Sequence, residues 1–141
     1  MKTNYLLLLL TCFFFMSFHK AEEKWSSYLE NDQLKIEVME TRCNDIKNGI
    51  DNQYILLRFT NKTNHKIKVD YQRELWYNNI CLNCNESSDE NHKTIYLETK
   101  EVKTGNCSSD KSLKIFVRMN NNLSDQVLTK FELKELVISS I

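Results

Sequence analysis

Residues 54–71 read YILLRFTNKTNHKIKVDY, and the fold class turns on them. The opening run, residues 54–59, is densely apolar and of strand length, as suits a central strand buried on both faces. Asn61, Lys62, Thr63 and Asn64 then supply turn chemistry, because Asn accepts left-handed backbone more readily than other residues with a Cβ atom. Beyond the turn, Ile67, Val69 and Tyr71 alternate with Lys66, Lys68 and Asp70. A period of two sets the first three on one face of a half-buried strand.

The same pattern extends both ways along the chain. Leu34, Ile36 and Val38 alternate with Lys35 and Glu37, and Leu75, Trp76 and Tyr77 continue the 67–71 strand after a bend. Residues 94–102 form a further strand, and LKIFVRM (113–119) puts Leu113, Ile115, Val117 and Met119 on one face. Near the end, Phe131 and Leu133 share one parity while Leu136 and Ile138 share the other, which predicts a β-bulge near Glu135. LTKFELKEL (128–136) holds good helix formers, but Val137, Ile138 and Ser139 favour an extended end. With no Pro and only Gly49 and Gly105, the turns rest on Asn, and Asn48-Gly49 is the strongest turn signal. Six to seven short strands without crossover helices predict an all-β protein, an antiparallel immunoglobulin-like β-sandwich. The Cys-Trp-Cys pattern of antibody domains is absent.

Ahead of the strands, Lys2 precedes an apolar run over residues 5–18 that turns polar at His19. That is the layout of a signal peptide, predicted over residues 1–21, followed by a single domain over 22–141. The run is too short and too early for a membrane span. Leu-Leu-Thr-Cys at residues 9–12 loosely resembles a lipobox, but Thr11 is large for its place and residues 13–15 stay apolar, so lipid anchoring through Cys12 is not expected.

Of 141 residues, roughly 120 would remain after cleavage, the size of one domain. Losing Lys2 and Lys20 leaves 17 basic residues against 19 acidic, a net charge of −2. So balanced a charge gives no counterion-release drive for nucleic acid and no polybasic patch for anionic lipid.

Three segments carry a family resemblance: FTNKTNHKIKV (59–69), ELWYNNICLNC (74–84) and KSLKIFVRMNNN (111–122). Together they resemble small secreted immunoglobulin-like proteins of Bacteroidetes-type bacteria, over most of the mature chain, with 59–69 looking like the hairpin common in such modules. The resemblance implies export and an immunoglobulin-like fold. It implies no activity and transfers no catalytic residue.

Cys43, Cys81, Cys84 and Cys107 are an even set in an exported domain, for which disulfides are the first reading. If the strands simply alternate direction, Cys43 falls near Cys81 and Cys84, and the long 78–93 loop brings the remaining cysteine of that pair to Cys107. Two sharper readings compete for CLNC (81–84). A thioredoxin-like redox pair wants a helix N-terminus, whereas this one follows a strand. A zinc site would recruit Cys81, Cys84, His92 and one further cysteine, but a second knuckle is missing.

His65 and His92 read as solvated loop residues, because no nucleophile motif accompanies them. Glu86, Asp89 and Glu90 lack the spacing and glycine of a calcium loop. Asn61, Asn85, Asn106 and Asn122 open Asn-x-Ser/Thr sequons that a bacterial host would leave bare. Trp76 and Tyr77 are either core or an exposed contact platform; the core reading is favoured for Trp76, since an uncovered Trp is costly for solubility. No catalytic residue, metal site or cofactor is expected. The leading expectation is an exported, secreted or periplasmic, non-enzymatic module that binds a protein or glycan at the cell envelope. The alternatives are a metal- or redox-active protein using Cys81 and Cys84, and a proteinase-inhibitor-like module presenting a loop.

Overall fold

The structure, a computed structural model, describes residues 24–141 apart from 85–87, 89 and 122–123. The signal-peptide segment and Cys12 lie outside the described residues. Nine strands occur among them: β1 (Ser26–Glu30), β2 (Leu34–Asp45), β3 (Ile50–Asn61), β4 (Ile67–Tyr77), β5 (Ile80–Cys81), β6 (His92–Leu97), β7 (Val102–Thr104), β8 (Lys114–Met119) and β9 (Leu128–Ser140). Among the described residues the fold is all-β, with one 3-10 turn, Ile46–Asn48, and no helix long and apolar enough to cross a membrane.

The strands make two antiparallel sheets. In the first, β1, β2 and β3 lie side by side, and β7 and β8 both pair with the far side of β3. In the second, β9 runs the length of one side of β4, and β6 and β5 share the other. One core cluster joins them, with Leu34, Ile36, Leu57, Phe59 and Ile115 from the first sheet and Ile67, Val69, Tyr71, Ile95 and Leu97 from the second. Each such side chain contributes about 1.5–3 kcal/mol by leaving water.

Three expectations change. The 59–69 segment is not a hairpin: β3 and β4 belong to different sheets, and the turn between them carries the chain across the core. Asn61, 1% exposed, holds that crossing, its Nδ2 donating to the carbonyls of His65 and Glu98 at 2.8 Å and its Oδ1 accepting from Thr63 N at 2.8 Å. The strand expected over 94–102 is two strands, broken where Lys100 adopts φ 58° and the chain leaves the second sheet for the first. β1 lies in the polar lead-in, where no alternation marks it. Tyr28 anchors it, stacking on Phe131 at 5.3 Å and accepting a hydrogen bond from Leu133 N at 2.9 Å. The count is therefore nine rather than six to seven. The bulge near Glu135 is present, with Glu135 at φ 49° where the β4–β9 register shifts.

β7 and β8 act as one interrupted strand. Gly105 N donates to Leu57 O and Leu57 N donates to Leu113 O, both at 2.9 Å, so residues 106–112 loop out between two ends that meet at Leu57. A Cβ at Gly105 would stand 2.1 Å from Leu113 O, which is why glycine occupies this closure.

Among the described residues, no strand pairs with the outer edge of β8 or its approach. Side chains from β4 take that place. Tyr71 Oη donates to Ser112 O at 2.5 Å, Tyr77 Oη to Phe116 O at 2.6 Å, and Arg73 Nη1 to Lys111 O and, at 3.3 Å, to Lys114 O. Burial pushes both phenols up and the Arg73 guanidinium down from their ordinary pKa values.

Candidate functional site

A concave feature lies on the face of the first sheet turned away from the core. Parity along β2 sends Leu34 and Ile36 inward and Lys35, Glu37, Met39 and Cys43 outward. The 106–112 excursion covers part of this outer face, tied down by a Cys43–Cys107 disulfide with Cα atoms 5.6 Å apart. A second disulfide joins Cys81 to Cys84. The expected bridge from Cys43 to the CLNC segment is thus not formed. That expectation had the strands simply alternate direction, which starts Cys107, between the strands at 94–102 and 113–119, at the opposite end of the molecule. Because β7 and β8 are collinear, Cys107 instead emerges midway along β3, beside Cys43. Two disulfides accord with an oxidising, extracytoplasmic compartment.

Between the excursion and the β2–β3 tip lies an open cleft of about 500 Å³. Asn52 and Tyr54 of β3 form its floor, Cys43, Asn44 and Asp45 one wall with Ile50, and Cys107, Ser108 and Lys114 the other. Lys114 Nζ stands 5.1 Å over the Tyr54 ring and donates to Cys107 O at 2.6 Å. Asn52 Nδ2 donates to Tyr54 Oη at 3.3 Å, and Asp45 accepts from Asn48 Nδ2 at 2.6 Å, capping the turn. Beside the cleft, Asp51 accepts from Arg42 Nε at 2.6 Å and from Asn120 Nδ2 at 3.1 Å; these bonds, Arg42's foremost, hold its carboxyl at about 2.

Tyr77 is buried, 8% exposed, and its hydroxyl is spent on Phe116 O, so it presents no contact surface. Trp76 does not reach the core as expected. The parity of β4 runs unbroken from Ile67 to Tyr77, which turns Trp76 outward beside Glu74, half-covered and with Lys130 Nζ 4.3 Å over its ring. Bond formation between Cys81 and Cys84 takes both sulfurs that the zinc reading needed. His92 opens β6 rather than lying in a loop, 3.9 Å from Asp70.

His65 is exposed, and its Nε2 lies 2.9 Å from the Ser140 hydroxyl. Glu90 is exposed, while Glu86 and Asp89 lie outside the described residues. Of the sequons, Asn61 is buried with its amide engaged, Asn106 is exposed with Oδ1 accepting from Ser108 N at 2.8 Å, and Asn85 and Asn122 lie outside the described residues.

Tyr54, Lys114 and Arg73 escaped the sequence reading. Only Arg73 left a signal, a charge at an inward parity position of an otherwise apolar row. No family model matches the chain, and no curated protein or solved structure matches it either.

Proposed function

We propose that the chain is an exported, non-enzymatic module of immunoglobulin-like β-sandwich type that binds a protein or glycan at the cell envelope through the cleft beside Cys43–Cys107. The cleft carries the reading. It joins an aromatic floor, a cation and several amide and hydroxyl groups in a rigid, disulfide-walled concavity, the composition expected of a recognition site. Its polar groups favour recognition over reaction, because Asp45, Asn52 and Lys114 are each engaged in a bond that shapes the cleft. Two disulfides in one small domain support the exported setting, as do Lys2 and the apolar run that follows it.

The test is direct binding of the mature domain to separated polysaccharide and protein fractions of the host envelope, against a Tyr54→Ala/Lys114→Ala variant. The wild type should bind one fraction, and the variant should lose that binding while keeping its near-UV circular dichroism. Equal binding by both would remove the cleft from the function. Intact-mass measurement of protein recovered outside the cytoplasm should show the loss of about 20 residues expected for signal cleavage.

A further inference from the structure

The Cys81–Cys84 disulfide spans 3 positions, whereas Cys43–Cys107 spans 64. The stabilisation a disulfide gives a fold grows with the logarithm of the loop it closes, so the short bridge does the lesser part. Asn83 is what holds the CLNC loop in place. Its side-chain amide stands in for a strand partner, Oδ1 accepting from Leu75 N at 2.9 Å and Nδ2 donating to Arg73 O at 2.6 Å. Leu82 N adds a bond to Leu75 O at 2.9 Å. On the other flank, Asn78 and Asn79 turn the chain with φ of 50° and 65°, and Asn79 N donates to Thr129 Oγ1 at 3.1 Å.

None of these contacts involves sulfur. The loop therefore keeps its shape with the S–S bond open, and its two thiols stay close enough to bond again. Both cysteines are half-buried, and Ile80 and Leu82 beside them are 69% and 55% exposed, so the bridge lies near the surface; Cys107 is exposed too, and what sets Cys81–Cys84 apart is its short loop and its sulfur-free anchors.

We infer that Cys81–Cys84 is a reversible thiol–disulfide exchange site, opened by a partner bearing two thiols while the domain remains folded. A partner thiolate attacks one sulfur of the pair; the Cys81–Cys84 bond breaks, the other sulfur leaves as a thiolate, and a mixed disulfide forms. The partner's second thiolate then attacks the partner's own sulfur in that mixed disulfide. The domain ends with two thiols, having gained two electrons and two protons, and the partner departs with its own disulfide. This site is separate from the cleft, and its chemistry does not depend on what the cleft binds.

The test equilibrates the mature protein in buffers of graded reduced and oxidised dithiothreitol, then quenches with acid, alkylates and maps the labelled cysteines by mass spectrometry. Near-UV circular dichroism follows packing in the same samples. Trp76, paired across from Cys81, gives a second readout in a Trp25→Phe background, because a disulfide quenches a neighbouring indole. Cys81 and Cys84 should become labelled together while Cys43 and Cys107 stay bridged. Near-UV signal should persist, Trp76 emission should rise at the same midpoint, and removing reductant should close the same pair again. Asn83→Ala should shift the midpoint toward opening by about tenfold, the effect of losing a net hydrogen bond or so. The inference falls if the near-UV signal is lost at the midpoint of Cys81–Cys84 opening, if Cys43–Cys107 opens first, or if Asn83→Ala leaves the midpoint unchanged.

Discussion

Replacing Arg73 by Met tests how the open edge of β8 is sealed. Arg73 is 7% exposed, its Nη1 serves the carbonyls of Lys111 and Lys114, and its Nε has no hydrogen-bond partner among the described residues. Methionine keeps most of the apolar stem and removes the charge. Two effects then oppose each other. Leaving a buried carbonyl unpaired costs about 1–3 kcal/mol, and because these two are only part-buried the pair gives about 2–4 kcal/mol of loss. Against that, a desolvated cation and an unsatisfied N–H disappear, a relief that in buried ion pairs reaches about 1–4 kcal/mol. Here the cation has no carboxylate partner among the described residues, yet it makes two charged hydrogen bonds, and no described strand pairs with the carbonyls it serves.

The carbonyls should therefore prevail, with a net destabilisation of about 2 kcal/mol. Urea unfolding at pH 7 measures it, and an unchanged m-value would show that the loss belongs to the folded state. Hydrogen exchange should locate the loosening at residues 111–116. A variant as stable as the wild type, or more stable, would refute the claim that Arg73 substitutes for a missing strand.

Three further outcomes follow from the same geometry. Trp76→Ala should cost about 1 kcal/mol, the scale of a partly exposed cation–π contact with Lys130, and a loss near the 3–5 kcal/mol of a core aromatic in the same urea titration would contradict its outward orientation. Cys43→Ser/Cys107→Ser should lose about 4 kcal/mol and Cys81→Ser/Cys84→Ser about 2, by loop-length scaling, read as the difference in urea midpoint between the two double variants. Folded-state carboxyl pKa values are depressed at Asp51, by hydrogen bonds from Arg42 and Asn120, and at Glu37, where burial works upward but bonds from Lys35 and Arg58 outweigh it. A depressed pKa gives stability that is complete above the unfolded carboxyl range and is lost as pH falls through the folded values. Stability should thus be flat from pH 7 to about 5 and fall toward pH 2, with Arg42→Gln flattening the lowest part of the curve.

Period-two alternation made β2, β4, β8 and β9 legible because each has one face toward water, and even the Glu135 bulge shows as a parity change between Leu133 and Leu136. What alternation does not encode is which strand lies beside which. The turn at residues 61–64 reads equally as a hairpin or a crossing; the choice rests on Asn61 reaching the carbonyl of Glu98, a contact 37 positions away. Likewise, residues 94–102 carry no Gly or Pro to announce the break at Lys100. The disulfide pattern inherited that error, since the position of Cys107 depends on whether β7 and β8 turn back or run on. The cleft was illegible for the same reason, as Tyr54 and Lys114 sit 60 positions apart and meet only through the β3–β8 register.

Arg73 links the two disulfide-bearing loops through different atoms. Its guanidinium holds Lys111 and so the excursion that presents Cys107 and Ser108 to the cleft. Its backbone carbonyl accepts from Asn83 and so anchors the CLNC loop, and its backbone N–H donates to Asn91 O at 3.0 Å. A side-chain substitution reaches only the first of these. Arg73→Met should therefore weaken the wall of the cleft while leaving the Cys81–Cys84 midpoint in dithiothreitol where it is, and Asn83→Ala should do the reverse. If both substitutions moved both properties, the two loops would form one cooperative unit held through β4, and the separation of recognition in the cleft from exchange at Cys81–Cys84 would be lost.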